Sequence, residues 1–308
     1  MIQLKPYSAE FEEEYWRAVS TKLESSAQKK IIKSCKSFLP NDFFTGSEDG
    51  FFKQLVLARF EKLQEAETYI TNNTIALMKV ECFCKTTGKK PQMKKLYETI
   101  HGAYDKVADS VKKGTAIRVR IVINAGLTVC PYCNRDYINC RAENVSGAQL
   151  DHFFSKSEFP LFAVCLYNLV PVCGNCNRVK SSQKLTFASP FDKSIDWEKD
   201  IFFSYSGSSL KDIKITINSK GDLNNNIKGM RINEAYQIHG SEVLEIVEKA
   251  QIYSSTQIQE FKKVLSPAKL TDLEIKKIIF GPEITKDTMR TKPLGKLISD
   301  LHKKLKIY

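Results

Sequence analysis

Two Cys-x-x-Cys pairs constrain this chain more than any other feature: Cys130 with Cys133, and Cys173 with Cys176. A thiolate pair two residues apart at a tight turn points both sulfurs at one place. Two such pairs supply the tetrahedral shell that Zn²⁺ prefers, so a closed structural zinc site is expected. The repeated spacing argues against four unrelated thiols or a redox pair. Residues 134–172 separate the pairs, a longer span than in common zinc ribbons. The zinc is therefore expected to staple a small module that has content of its own.

That content reads as two strands and a helix. Leu150-Asp151-His152, followed by Phe153 and Phe154, looks like a strand presenting one carboxylate and one imidazole. Asn168 to Cys173 (NLVPVC) looks like a second strand, and Gly174 to Lys180 turns into a helix with Asn177 in its first turn. In this order the parts resemble the HNH endonucleases, whose ββα-metal motif carries an Asp-His, a central Asn and a final His or Asn. Asp151-His152, Asn168 and Asn177 stand at those positions, which makes this the variant ending in Asn. The match covers about 50 residues.

The resemblance implies hydrolysis of a nucleic-acid phosphodiester by a metal-dependent endonuclease, with DNA the expected target. His152 would be the general base, and Asp151 and Asn177 would hold a catalytic Mg²⁺ or Mn²⁺. Asn168 would brace the loop between the strands and orient His152. Lys180 and Arg178 would contact phosphate. The residue types suit that chemistry. A neutral imidazole is the natural base near pH 7. A hard cation prefers oxygen ligands, and one carboxylate with one amide oxygen leaves positions open for phosphate and water.

Composition sets looser bounds. No apolar run approaches the roughly 20 residues that span a bilayer, and the N-terminus lacks a signal peptide's layout, so a cytoplasmic protein with no membrane partner is expected. Nine cysteines in such a chain suggest metal use rather than a disulfide framework. The other five are Cys35, Cys82, Cys84, Cys140 and Cys165, with Cys82 and Cys84 read as buried thiols rather than half of a second metal site. The formal net charge is +12, but residues 129–192 hold 6 basic and 5 acidic side chains. Long-range attraction to a phosphate backbone would come from the flanks.

An α+β, mostly helical chain is expected, in three segments: a helical region 1–128, the zinc-bound module 129–192, and a β-hairpin plus helical region 193–308. Apolar residues in steps of four from Phe11 to Leu39 predict one long helix over 9–39, closed by Pro40. Further helices are expected over 51–70, 74–84 and 91–113, the last capped by Gly114. A basic connection is expected over 85–95. Residues 117–123 read as a strand or a helix end, with Arg118 and Arg120 as candidate phosphate contacts. A hairpin is expected over 200–218 and a turn over 221–226. Helices are expected over 232–253, 255–265, 271–280 and 293–306. His101, in the middle of its helix, is expected to pack or to lie on the surface, and His239 and His302 have no partner spacing and are assigned no role.

YQIHGSEVLEIVEKA, IIFGPE and KPLGKLISDL are similar to the C-terminal region of HNH proteins from bacterial anti-phage systems, the Septu-type and retron-associated nucleases. That wider resemblance implies a partner ATPase and a role as a defence effector. Two rivals stand beside the DNA nuclease. One is a non-catalytic zinc module that binds nucleic acid or a protein partner. The other is a nuclease acting on RNA, because such a site reads backbone more than bases.

Overall fold

The periodic N-terminal segment folds into helices, but the run expected as one helix is two. In a computed structural model, Ala9–Lys22 (α1) and Ser25–Cys35 (α2) are separated by extended backbone at Leu23 and Glu24. Ser8 caps α1 by accepting from the Phe11 amide. The structure describes residues 2–77, 80, 91–112, 114–181, 183, 185–265 and 269–308, with backbone alone at 91–97, 101 and 112. Cys82, Cys84, the His101 side chain, most of the basic connection and the end of the 74–84 helix lie outside it.

The helix expected over 51–70 is also broken, into Phe51–Val56 (α3) and Phe60–Asn72 (α4). Arg59 stands in the gap in extended conformation, where its guanidinium pairs with Glu12 at 2.9 Å and donates to the Tyr167 hydroxyl. The next helix, Pro91–Ala108 (α5), ends earlier than expected. Gly114 does not cap it. With φ +82° it turns a small β-arm, Val111–Lys112 (β1) against Thr115–Ala116 (β2), a conformation open to glycine without steric cost. Ile117–Ala125 (α6) is a helix, closed by Gly126 in the left-handed region.

The segment between the cysteine pairs forms an antiparallel ladder of Gln149–His152 (β3) and Leu169–Val172 (β4). Gln149 pairs with Val172, Asp151 with Val170, and His152 with Leu169. Gly174–Lys180 (α7) follows directly and packs on β3. Downstream, Ile201–Ser206 (β5) and Lys214–Ser219 (β6) form the expected hairpin, which buries Ile201, Phe203, Ile215 and Ile217.

Residues 221–226, expected as a turn, instead enter a helix, Leu223–Gly229 (α8). The 232–253 helix is split by a tight turn at 237–239 into Ile232–Tyr236 (α9) and Gly240–Ile252 (α10). Ser255–Val264 (α11) and Asp272–Phe280 (α12) each carry a reciprocal capping box. The short Lys286–Met289 (α13) leads to Gly295–Lys304 (α14). On α14, buried Lys296 donates to Asp300 at 2.7 and 2.9 Å, and Asp300 accepts the Phe203 amide at 2.8 Å, so one ion pair docks the last helix on the hairpin.

The architecture is α+β and mostly helical. One apolar core draws on all three segments, from Ile2 through Val170 to Leu301. The ββα unit lies inside it. Tyr15 donates to Val164 O, Cys165 donates to Leu55 O, and Phe60 packs on Phe153 and Phe154. The N-terminal helices therefore hold the loop between β3 and β4 from outside.

Candidate functional site

The two cysteine pairs converge. The four Sγ atoms of Cys130, Cys133, Cys173 and Cys176 lie within 4.8 Å of one another, and all four residues are buried. Each pair is shaped by local backbone. The Cys130 amide bonds Asp136 O, and Asn134, with φ +51°, returns its amide to Cys130 O to close the first knuckle. Cys173 is the N-cap of α7, and its sulfur accepts from the Cys176 amide. The second pair thus sits at the positive end of a helix, which favours thiolate. Burial pushes the Cys130 thiol well above its usual range, a penalty that a bound cation would offset. The donor set fits Zn²⁺, and no other group of three or more His, Cys, Asp or Glu able to hold a metal occurs among the described residues.

The first knuckle is also where distant segments attach. Ile2 N bonds Pro131 O, Tyr236 Oη donates to Cys133 O at 2.6 Å, and Leu294 N bonds Asn134 O at 2.7 Å. The buried Asn134 carboxamide accepts from Lys296 N and donates to Met289 O.

Asp151 and His152 are neighbours on β3 with different surroundings. Asp151 is buried. Its Oδ2 accepts from Tyr132 Oη at 2.8 Å, and Lys180 Nζ lies 3.2 Å from Oδ1 and 3.0 Å from Oδ2. Tyr132 sits between the two cysteines of the first knuckle, so the cysteine cluster and the carboxylate share a strut. Lys180, expected to reach a phosphate, is buried instead. Its ammonium also donates to Phe153 O at 3.2 Å and lies between the rings of Phe153 and Phe187, 5.3 and 5.5 Å from their centroids.

His152 Nε2 is 3.0 Å from Ala163 O. A carbonyl oxygen can only accept, so Nε2 carries the proton and the lone pair is on Nδ1. Tyr104 of α5 stands edge-on to the imidazole at 4.4 Å between centroids, and Lys156 lies over the Tyr104 ring. Burial pulls the His152 pKa down to about 4, so the ring is neutral at pH 7.

Asn168 is buried and spends its whole carboxamide on the loop between the strands. Its Oδ1 accepts from Phe154 N at 2.8 Å, and its Nδ2 donates to Phe154 O at 3.1 Å and to Phe162 O at 2.9 Å. Phe162 precedes Ala163, so Asn168 anchors the loop one peptide before the carbonyl that meets His152. Asn177 donates to Gln149 Oε1 at 2.8 Å, and Arg178 is exposed, donating to Asn175 Oδ1. Because helical residues three apart share a face, Asn177 and Lys180 both look onto β3.

Arg118 and Arg120, expected as phosphate contacts, are occupied. Arg118 pairs with Asp109 and donates to Asn144 O, and Arg120 pairs with the buried Glu14. A groove of about 820 Å³ opens between α4 and the ββα unit, lined by Gln64, Thr68, Phe153, Lys180, Gln183 and Phe187 among others. Sequence reasoning missed Tyr132, Tyr104 and Ala163. Tyr132 had a signal, lying inside the first cysteine pair; a carbonyl at residue 163 and a ring 48 positions before His152 had none. No family model, curated protein or solved structure matches the chain.

Proposed function

We propose that this protein is an HNH-type endonuclease that hydrolyses phosphodiester bonds of nucleic acid, DNA foremost. The observation that carries the proposal is the state of His152. Its Nε2–H is given to Ala163 O, its ring is kept neutral by burial, and its Nδ1 keeps a lone pair. An imidazole held in one tautomer by a backbone carbonyl is a built general base. Asn168, through Phe162 O, anchors the loop one peptide before that carbonyl.

His152 Nδ1 takes a proton from water, and the hydroxide oxygen attacks phosphorus. The bond from phosphorus to O3′ breaks, the departing O3′ takes a proton from solvent water and His152 gives its proton back to solvent, which leaves a 5′-phosphate and a 3′-hydroxyl. Asp151 and Asn177 offer a carboxylate oxygen and an amide oxygen, a hard donor set that fits Mg²⁺ or Mn²⁺, and such a cation would neutralise the phosphate and the leaving oxygen. In the wider resemblance the nuclease acts beside an ATPase in antiviral defence, and that partnership belongs to the same proposal.

The test is incubation of the purified protein with plasmid DNA and with RNA in Mg²⁺ or Mn²⁺. Cutting is expected with the wild type and absent in EDTA. His152→Ala should lower the rate about 10²–10⁴-fold with zinc retained. Wild-type cutting by His152→Ala would sink the assignment. One observation favours a second reading, a zinc module that binds without cutting: Asp151 already has a cationic partner in Lys180. Binding that survives Asp151→Asn, with no cutting in any metal, would establish that reading.

A further inference from the structure

A carboxylate that already accepts from a buried lysine at both oxygens has its charge balanced, and a divalent cation arriving there meets a cation in place. Lys180 Nζ contacts both Asp151 oxygens, and Tyr132 Oη takes a further lone pair on Oδ2. Lys180 and Asp151 are each about 5 % exposed, so water does little to screen the pair. Among the described residues, the remaining contacts of the ammonium are one carbonyl and two ring faces. Lys180 also lines the groove between α4 and the ββα unit, so its long side chain has a direction in which to leave.

Resting on the nuclease proposal, we infer that Lys180 is an internal counter-cation that competes with a divalent cation for Asp151, and that the cation's arrival sends the ammonium into the groove, toward the phosphate of the substrate. The lysine keeps Asp151 neutralised in the absence of metal, so the zinc-stapled core does not carry a bare buried charge. Once displaced, the same ammonium is a phosphate contact. Lys180 is thus a positioning residue at rest and a substrate contact when metal is present. Occupancy by lysine lowers the apparent metal affinity in proportion to the fraction of time the pair is closed. Asn177 faces the same strand one helical turn away and has only an exposed Gln149 amide to give up.

The test uses the full chain without nucleic acid. Mn²⁺ binding is followed by electron paramagnetic resonance for the wild type, Lys180→Met, and the double variant Asp151→Asn/Lys180→Met. Methionine keeps the apolar stem between the Phe153 and Phe187 rings. Lys180→Met is expected to bind Mn²⁺ about tenfold or more tightly than the wild type, and the double variant to lose that gain. Equal affinity in wild type and Lys180→Met would overturn the inference.

A second measurement needs no variant. The wild type is treated with an amine-acylating reagent with and without saturating Mn²⁺, and each lysine is read by mass spectrometry. Lys180 should become several-fold more reactive with Mn²⁺. Lys296, the other buried lysine paired with a carboxylate among the described residues, is the internal control and should stay protected. A Lys180 still protected at saturating Mn²⁺, or a Lys296 exposed in parallel, would overturn the inference. These readouts involve no cleavage, so their failure is distinct from failure of the nuclease proposal, which is judged by intact DNA in Mn²⁺.

Discussion

Zinc removal is expected to cost this protein about as much free energy as its whole fold is worth. With Zn–S near 2.3 Å, a tetrahedral site has sulfurs about 3.8 Å apart. All four sulfurs already lie within 4.8 Å, so binding asks for a contraction of no more than about 1 Å on any edge. The site is therefore preformed, and little of the binding energy is spent on reorganising backbone. Structural zinc contributes about 10–16 kcal/mol to folding in small domains, against a net stability of about 5–15 kcal/mol for ordinary proteins.

The effect should spread beyond the module. The first knuckle receives Ile2, Tyr236 and Leu294 from both chain ends, and losing its shape releases all of them. At about 2 °C per kcal/mol for a chain of this size, Cys176→Ser or stripping with a strong chelator should lower Tm by about 20 °C or abolish folding. The assay is metal analysis, with one zinc expected per chain, followed by thermal melts of holo, stripped and re-zinced protein. A purified protein without zinc, or a stripped one melting within a few degrees of the starting material, would refute the reasoning.

Two further outcomes follow from the packing. Asn168→Ala removes three hydrogen bonds inside the loop and leaves the Phe154 amide and carbonyl unpaired, while Phe162 O keeps the Cys165 amide, so denaturant melts should show a loss of about 3 kcal/mol with zinc still bound; a loss below about 1 kcal/mol would mean that the loop is held by its aromatic contacts instead. Burial lowers the pKa of both His152 and His302 to about 4. A group whose folded value lies below its unfolded value near 6.5 has its full stabilising effect above pH 6.5 and loses it as pH falls toward 4. Each contributes a slope of up to about 1.4 kcal/mol per pH unit in that window. His302→Phe, which removes a ring with both nitrogens buried and unpartnered, should flatten the slope of melts between pH 5 and 6.5 while zinc content is monitored; an unchanged slope would sink this account.

Local chemistry carried much of the candidate site. The spacing of two cysteine pairs fixes where sulfurs can meet whatever surrounds them, and the apolar steps around Asp151, Asn168 and Asn177 give strand, strand and helix in order. The breaks in long helices were not legible. Steps of four run straight through Leu23 and Leu57–Arg59, where extended backbone buries Leu23 and lets Arg59 reach Glu12 and Tyr167. A pairing partner that lies far along the chain leaves no periodic mark.

The same limit governs function. By itself the sequence determined that four cysteines and an Asp-His-Asn-Asn series belong to one unit, because those relations rest on short spacings. Only the tertiary structure decided that Asp151 answers to Lys180 and Tyr132, that Ala163 sets the tautomer of His152, and that Arg118 and Arg120 are consumed by acidic partners. Charge pairing and tautomer depend on which atoms come within about 3 Å in a poorly solvated interior, and that proximity exists only after the core has closed.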